Sequence, residues 1–136
     1  MAHTCEALVL TCMDFRFHTA IRKFLTRDLG LENSYDHVSL AGSAKDLVKS
    51  PGHVPFESLL KQVELSSKLH EIKRVVLINH QNCGAYGPTL ESGSSHEFET
   101  HSGDLRAARS LVQSRFPELK VALYFAKLDG TFVEVA

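Results

Sequence analysis

Two runs of aliphatic and β-branched residues, Ala7 to Thr11 (Ala-Leu-Val-Leu-Thr) and Arg74 to Asn79 (Arg-Val-Val-Leu-Ile-Asn), constrain the fold of this 136-residue chain more than any other feature. Neither run alternates apolar with polar residues, as a strand with one wet face would. Both predict strands buried on two faces, the habit of parallel sheets sandwiched between helices. Such sheets need a crossover between neighbouring strands, and the sequence offers a helical pattern in each gap.

From about Phe15 to Leu29, Phe17, Ile21, Phe24 and Leu25 recur at helical spacing, and Gly30 is placed to stop the helix. Asp36 to Ala41 reads as a second short strand running into Gly42. Ser43 to Gly52 is polar, ends in Ser-Pro-Gly, and predicts a loop with at most one helical turn. Pro55 suits the start of a second helix, whose stripe is Phe56, Leu59, Leu60, Val63 and, after a gap, Leu69. Gly84 to Ser95, rich in Gly and Ser, predicts a loop. A third helix is expected over Gly103 to Arg115, stopped by Pro117. Lys120 to Ala126 is a fourth apolar strand, and Asp129-Gly130 turns the chain into a fifth, Thr131 to Val135, folding back antiparallel.

The order β-α-β-α-β-α-β-β, without repeats, predicts one α/β domain over residues 1–136. Its expected form is a three-layer αβα sandwich with a mainly parallel sheet of order 2-1-3-4 plus a C-terminal antiparallel strand. Ligands on such sheets bind beyond the carboxyl ends of strands, where strand order reverses. In the order 2-1-3-4, strands one and three are neighbours at that point.

Both of those strands run directly into chemically unusual stretches. Cys12-Met13-Asp14-Phe15-Arg16 continues the first, and His80-Gln81-Asn82-Cys83-Gly84 the third. Zinc favours thiolate and imidazole in tetrahedral array, and Cys12, His80 and Cys83 supply three such donors. The fourth place falls to water, giving an open site, or to Asp14, giving a closed one. Asp14 and Arg16, two apart, face the same side of an extended segment and can pair. That pairing can act as a gate: engaged with Arg16, Asp14 leaves the metal to water; released, it closes the site.

The rest of the composition narrows the field. With 43% hydrophobic and 23% charged residues and a formal net charge of −1, the chain predicts neither nucleic-acid nor membrane attraction. No N-terminal basic start precedes a long apolar run, and no apolar run approaches the roughly 18 residues of a membrane helix. Three cysteines do not make a disulfide framework and suit a reducing compartment, so a cytoplasmic protein is expected.

With those residues in view, the chain resembles the β-class carbonic anhydrases, whose zinc ligands come from Cys-x-Asp-x-Arg and His-x-x-Cys. Leu10 to Arg16 is similar to the first-strand motif of the archaeal-type branch. Ala41-Gly42 matches the middle of the family's Asn-Ala-Gly-Asn turn, and Leu128 to Phe132 resembles its closing hairpin. The resemblance implies a zinc enzyme that interconverts carbon dioxide and bicarbonate as a homodimer or higher homo-oligomer. Cys12, His80 and Cys83, with Asp14, are its implied metal ligands, and Asp14 and Arg16 its implied catalytic pair. Zinc lowers the pKa of bound water toward about 7, providing the hydroxide that attacks carbon dioxide. His18, His37, His53, His96 and His101 are candidate proton shuttles, though a surface or capping role is the default for each.

The chain departs from the family pattern in identifiable places. Phe15 stands where Ser or Ala is usual, Leu40 and Ser43 replace the two asparagines of the turn, and Asn82 replaces an Asp. The chain starts close to the first strand, so the family's helical N-terminal arm is not expected, and His3 lies near the place of the plant-type branch's active-site Gln. Three rival readings use the same residues: a hydrolase of another small electrophile such as carbon disulfide, a zinc-binding domain without catalysis, and a thiol enzyme using Cys12 or Cys83.

Overall fold

The computed structural model describes residues 3–48 and 52–136. Five strands form one sheet in the order β2-β1-β3-β4-β5: β1 (Ala7–Thr11), β2 (Tyr35–Ser39), β3 (Arg74–His80), β4 (Lys120–Ala126) and β5 (Phe132–Val135). The first four are parallel and β5 returns antiparallel on β4, as the alternation of elements predicts.

The unbroken apolar runs are explained by the two cores. Leu8 and Leu10 of β1, with Val75 and Leu77 of β3, join the core under α2 (Val54–His70) and α3 (Ser95–Arg115). Ala7, Val9, Val76 and Ile78 point the other way, into a core with Phe17, Ile21, Phe24, Leu25 and Leu31. Strand side chains alternate faces, so a sheet covered on both sides needs apolar residues at every position. The second core is roofed by a short helical stretch: a 3-10 turn Phe15–Phe17, α1 (His18–Lys23) and a π turn Phe24–Asp28. Gly30, at φ 65°, ends it in the left-handed region. Three layers result.

Several elements differ from expectation. β2 begins one residue early and ends at Ser39. Ser43–Val48 is a 3-10 helix that buries Ser43, Ala44 and Leu47, where polarity predicts loop; residues 49–51 of that segment lie outside the described residues. Leu69 is exposed and belongs to no core, because it falls off the stripe formed by Phe56, Leu59, Leu60 and Val63. The third helix starts at Ser95 rather than Gly103. Ser94 caps it, its hydroxyl accepting from the Glu97 N–H at 3.1 Å. Among the described residues no helix is long and apolar enough to cross a membrane.

Candidate metal centre

The two motifs meet where the topology places them. β1 and β3 are hydrogen-bonded neighbours, so Cys12 just past β1 and His80 at the end of β3 leave the sheet side by side. The ligand atoms of Cys12, His80 and Cys83 lie within 4.8 Å of one another, and all three residues are buried. The turn that carries Cys83 back toward the sheet is made by Asn82 at φ 59°.

The donor set fits a metal ion. The two sulfurs stand 4.0 Å apart. Two thiolates on a tetrahedral ion with bonds of about 2.3 Å would be about 3.8 Å apart, whereas a disulfide needs about 2.05 Å. His80 donates from Nδ1 to the Gln81 carbonyl oxygen at 2.7 Å, an interaction that fixes the ring and leaves Nε2 as the free lone pair. Nε2 is buried without a hydrogen-bond partner. An orphaned buried nitrogen beside two thiols costs stability unless something accepts its lone pair. Phe17 packs on the His80 ring at 4.2 Å between centroids and limits its rotation.

The thiols titrate as a pair. A hydrogen bond from Cys83 pulls the Cys12 thiol well below its ordinary value, helped by His80 and the Gly42 N–H, and the Cys83 thiol is pushed up by the same contact and by burial. Gly42 donates to Cys12 Sγ at 3.4 Å from a backbone at φ 84°. A Cβ there would stand 3.2 Å from Lys45 Cβ and 3.3 Å from Ala85 Cβ, so a side chain would be crowded as well as strained by the left-handed backbone.

Asp14 and Arg16 pair, but not through an extended segment. Asp14 caps the Phe15–Phe17 turn, Oδ1 accepting from the Arg16 N–H at 2.9 Å. The guanidinium then closes a fork on the carboxylate, Nε to Oδ1 at 3.1 Å and Nη2 to Oδ2 at 2.7 Å. Hydrogen bonds from Arg16 hold the Asp14 carboxyl down at about 2. Its Oδ2 is 3.8 Å from His80 Nε2.

Two contributors were not anticipated. Asn82 accepts from Arg16 twice, at Oδ1 from Nη1 and at its carbonyl oxygen from Nη2, both at 2.9 Å. Glu97, 2% exposed, accepts from the Asn82 N–H at 2.7 Å and from the Gly93 N–H at 2.9 Å. The pattern Ser94-x-x-Glu97, a capping-box signature, was the available signal for a helix start placing Glu97 here.

Of the candidate shuttles, His18, His53 and His96 are exposed, and His37 pairs with Thr11 Oγ1 at 2.7 Å. His101 is neither a surface nor a capping residue. It is fully buried on α3, hydrogen-bonded through Nδ1 to Asn79 Nδ2 at 2.9 Å, and burial lowers it to about 4. It is therefore neutral near pH 7.

Residues 2–136 match the family model described as "Putative carbonic anhydrase". An uncharacterized protein of Rickettsia bellii is 33% identical over 134 residues, covering 96% of this chain and 81% of that protein. An uncharacterized protein of Rickettsia conorii is also 33% identical over 134 residues, covering 96% and 72%. In fold, the chain is similar to the β-carbonic anhydrase CafA of Aspergillus fumigatus, with a TM-score of 0.53 at 16% identity over 97% of this chain and 76% of that one. The β-carbonic anhydrase CafD of the same fungus gives a TM-score of 0.53 at 12% identity, over 97% and 90%. The chain belongs to the carbonic anhydrase family that this model describes, and its fold is that of the β-class enzymes.

Proposed function

We propose that this protein is a zinc-dependent carbonic anhydrase that interconverts carbon dioxide and bicarbonate, with Cys12, His80 and Cys83 holding the ion. One observation carries the reading: three buried donors converge, and the Asp14 carboxylate stands beside them, held by Arg16. When bound, zinc supplies a Lewis acid that activates water near neutral pH.

The chain's own residues do the rest. Cys12 and Cys83 would hold the ion as thiolates, giving up their protons, and would leave it less electrophilic than three imidazoles would, with a working range at higher pH. Asp14, ionised because Arg16 holds it so, accepts a hydrogen bond from the attacking water and orients it. Arg16, braced by Asn82, keeps Asp14 off the metal. Engaged in this way, the pair is the open arrangement of the gate; a released Asp14 would be free to join Cys12, His80 and Cys83 as a ligand and close it. Residues 1–136 act as one catalytic domain in this reading. Exposure of Met13 (64%) and Phe15 (82%), which flank Asp14, supports a homodimer in which a second copy covers them.

Metal analysis and stopped-flow hydration of carbon dioxide test the proposal. It expects stoichiometric zinc, and activity rising between pH 7 and about pH 8.5. Protein without zinc overturns it. Zinc with no activity at either pH would leave a zinc-binding domain of the same fold. Asp14→Ala should retain zinc and lose activity; undiminished activity would remove the gate from the mechanism.

A further inference from the structure

At the opposite end of β1 stands a second group of metal-binding side chains. Cys5, Asp36 and His70 offer ligand atoms all within 4.8 Å of one another, and each residue is half-buried. They come from three elements: the lead-in to β1, the second residue of β2, and the last residue of α2. The His3 ring lies beside them, its centroid 4.8 Å from that of His70. β1 lies between this cluster and Cys12, which at strand rise puts the two roughly 20 Å apart.

We propose that Cys5, Asp36 and His70, with His3 beside them, form a second transition-metal site at the end of the sheet remote from Cys12.

The backbone holds these donors in place. The Cys5 N–H donates to the His70 carbonyl oxygen at 3.0 Å, so the thiol and the imidazole are tied across two elements. The Glu6 N–H donates to Ser34, at its carbonyl oxygen and at Oγ, both 3.0 Å, which locks the β1 entry to the start of β2. Leu8 sits in register with Asp36. Asp36 Oδ2 already receives Ser66 Oγ and His70 Nδ1, each at 2.6 Å. That leaves Asp36 Oδ1 to meet an ion, which His70 joins from Nδ1 by exchanging its hydrogen bond to Asp36 for the metal, the ring proton moving to Nε2.

The donor set chooses the class of ion. Thiolate, imidazole and carboxylate together suit zinc and its neighbours, whereas calcium and magnesium prefer oxygen alone. One thiolate and one carboxylate balance a divalent charge, and the thiol proton passes to buffer on binding. Access is present, since a cavity of about 300 Å³ lined by Asp36, Gln62, Ser66, Leu69 and His70 borders the cluster.

The test counts metal in the full chain. After dialysis against a zinc buffer, the native protein should hold two equivalents, Cys5→Ala one, and Cys12→Ser one. Cobalt-loaded native protein and Cys12→Ser should both show sulfur-to-cobalt charge-transfer absorption, and its Cys5 component should disappear from Cys5→Ala and weaken in Asp36→Asn. A native stoichiometry of one that Cys5→Ala leaves unchanged overturns the second site. A stoichiometry of one that Cys5→Ala abolishes and Cys12→Ser does not would keep this site while refuting the zinc reading of the first.

Discussion

Arg16 grips both oxygens of Asp14 while its other face is held by Asn82, so the carboxylate beside His80 is fixed by a residue that contacts neither thiol. Charge, fork geometry and a second anchor act together here, which raises the pair above an ordinary surface ion pair. Arg16→Ala should lower carbon dioxide hydration by at least about tenfold, equivalent to about 1.4 kcal/mol of transition-state stabilisation. Zinc content should not change. Stopped-flow rates on protein of verified metal content make the comparison.

Asn82 allows the brace to be removed without bending the turn. Its φ of 59° suits glycine, so Asn82→Gly deletes the amide oxygen that receives Arg16 Nη1 and leaves the backbone unstrained. One charged hydrogen bond in a partly exposed place is worth about 1 kcal/mol, so a loss of about fivefold in rate is expected. The urea midpoint should move little.

Gly42 is predicted to be intolerant of even one methyl group. Gly42→Ala adds left-handed strain and contacts with Lys45 and Ala85, which together should cost about 1–3 kcal/mol. Gly30→Ala is the control: its φ of 65° carries the strain, but nothing lies within 4 Å of the added carbon. Urea unfolding of both variants should give the larger loss at Gly42, and only that variant should also weaken metal retention.

His101 gives the fold a pH dependence of known sign. Burial holds the folded group at about 4, while the unfolded one titrates near its ordinary value of 6.5. Between those values the unfolded chain binds the proton and the folded chain does not. Stability is therefore full above the unfolded value and falls as pH drops through the window, by about 2 kcal/mol at pH 5. Urea midpoints at pH 7 and pH 5 measure it, and His101→Gln should flatten the difference.

Legibility from sequence depended on the way each element is stabilised. β1, β3 and β4 were readable because a sheet covered on two faces requires uninterrupted apolar residues, and the order 2-1-3-4 was the one that lets the motifs after β1 and β3 meet. Cys12, Asp14, Arg16, His80 and Cys83 were readable because they sit at or just beyond strand ends. The first two turns of α3 were not, since Glu97, His101 and Ser102 are buried there as polar groups and give no apolar stripe. Their burial depends on partners from distant segments, such as Asn79 and Asn82, which local periodicity cannot register. The Asp14–Arg16 pair was anticipated, although the inference assumed extended backbone and the contact arises from a helix cap.

Cys12 and Cys83 stand 71 positions apart along the chain and 4.0 Å apart in space. An ion gripped by both acts as a clasp on a long loop, restricting the unfolded chain much as a cross-link does. Folding and metal loading are then linked, each favouring the other. The melting temperature of this protein should track the free zinc concentration, and a chelator should lower it.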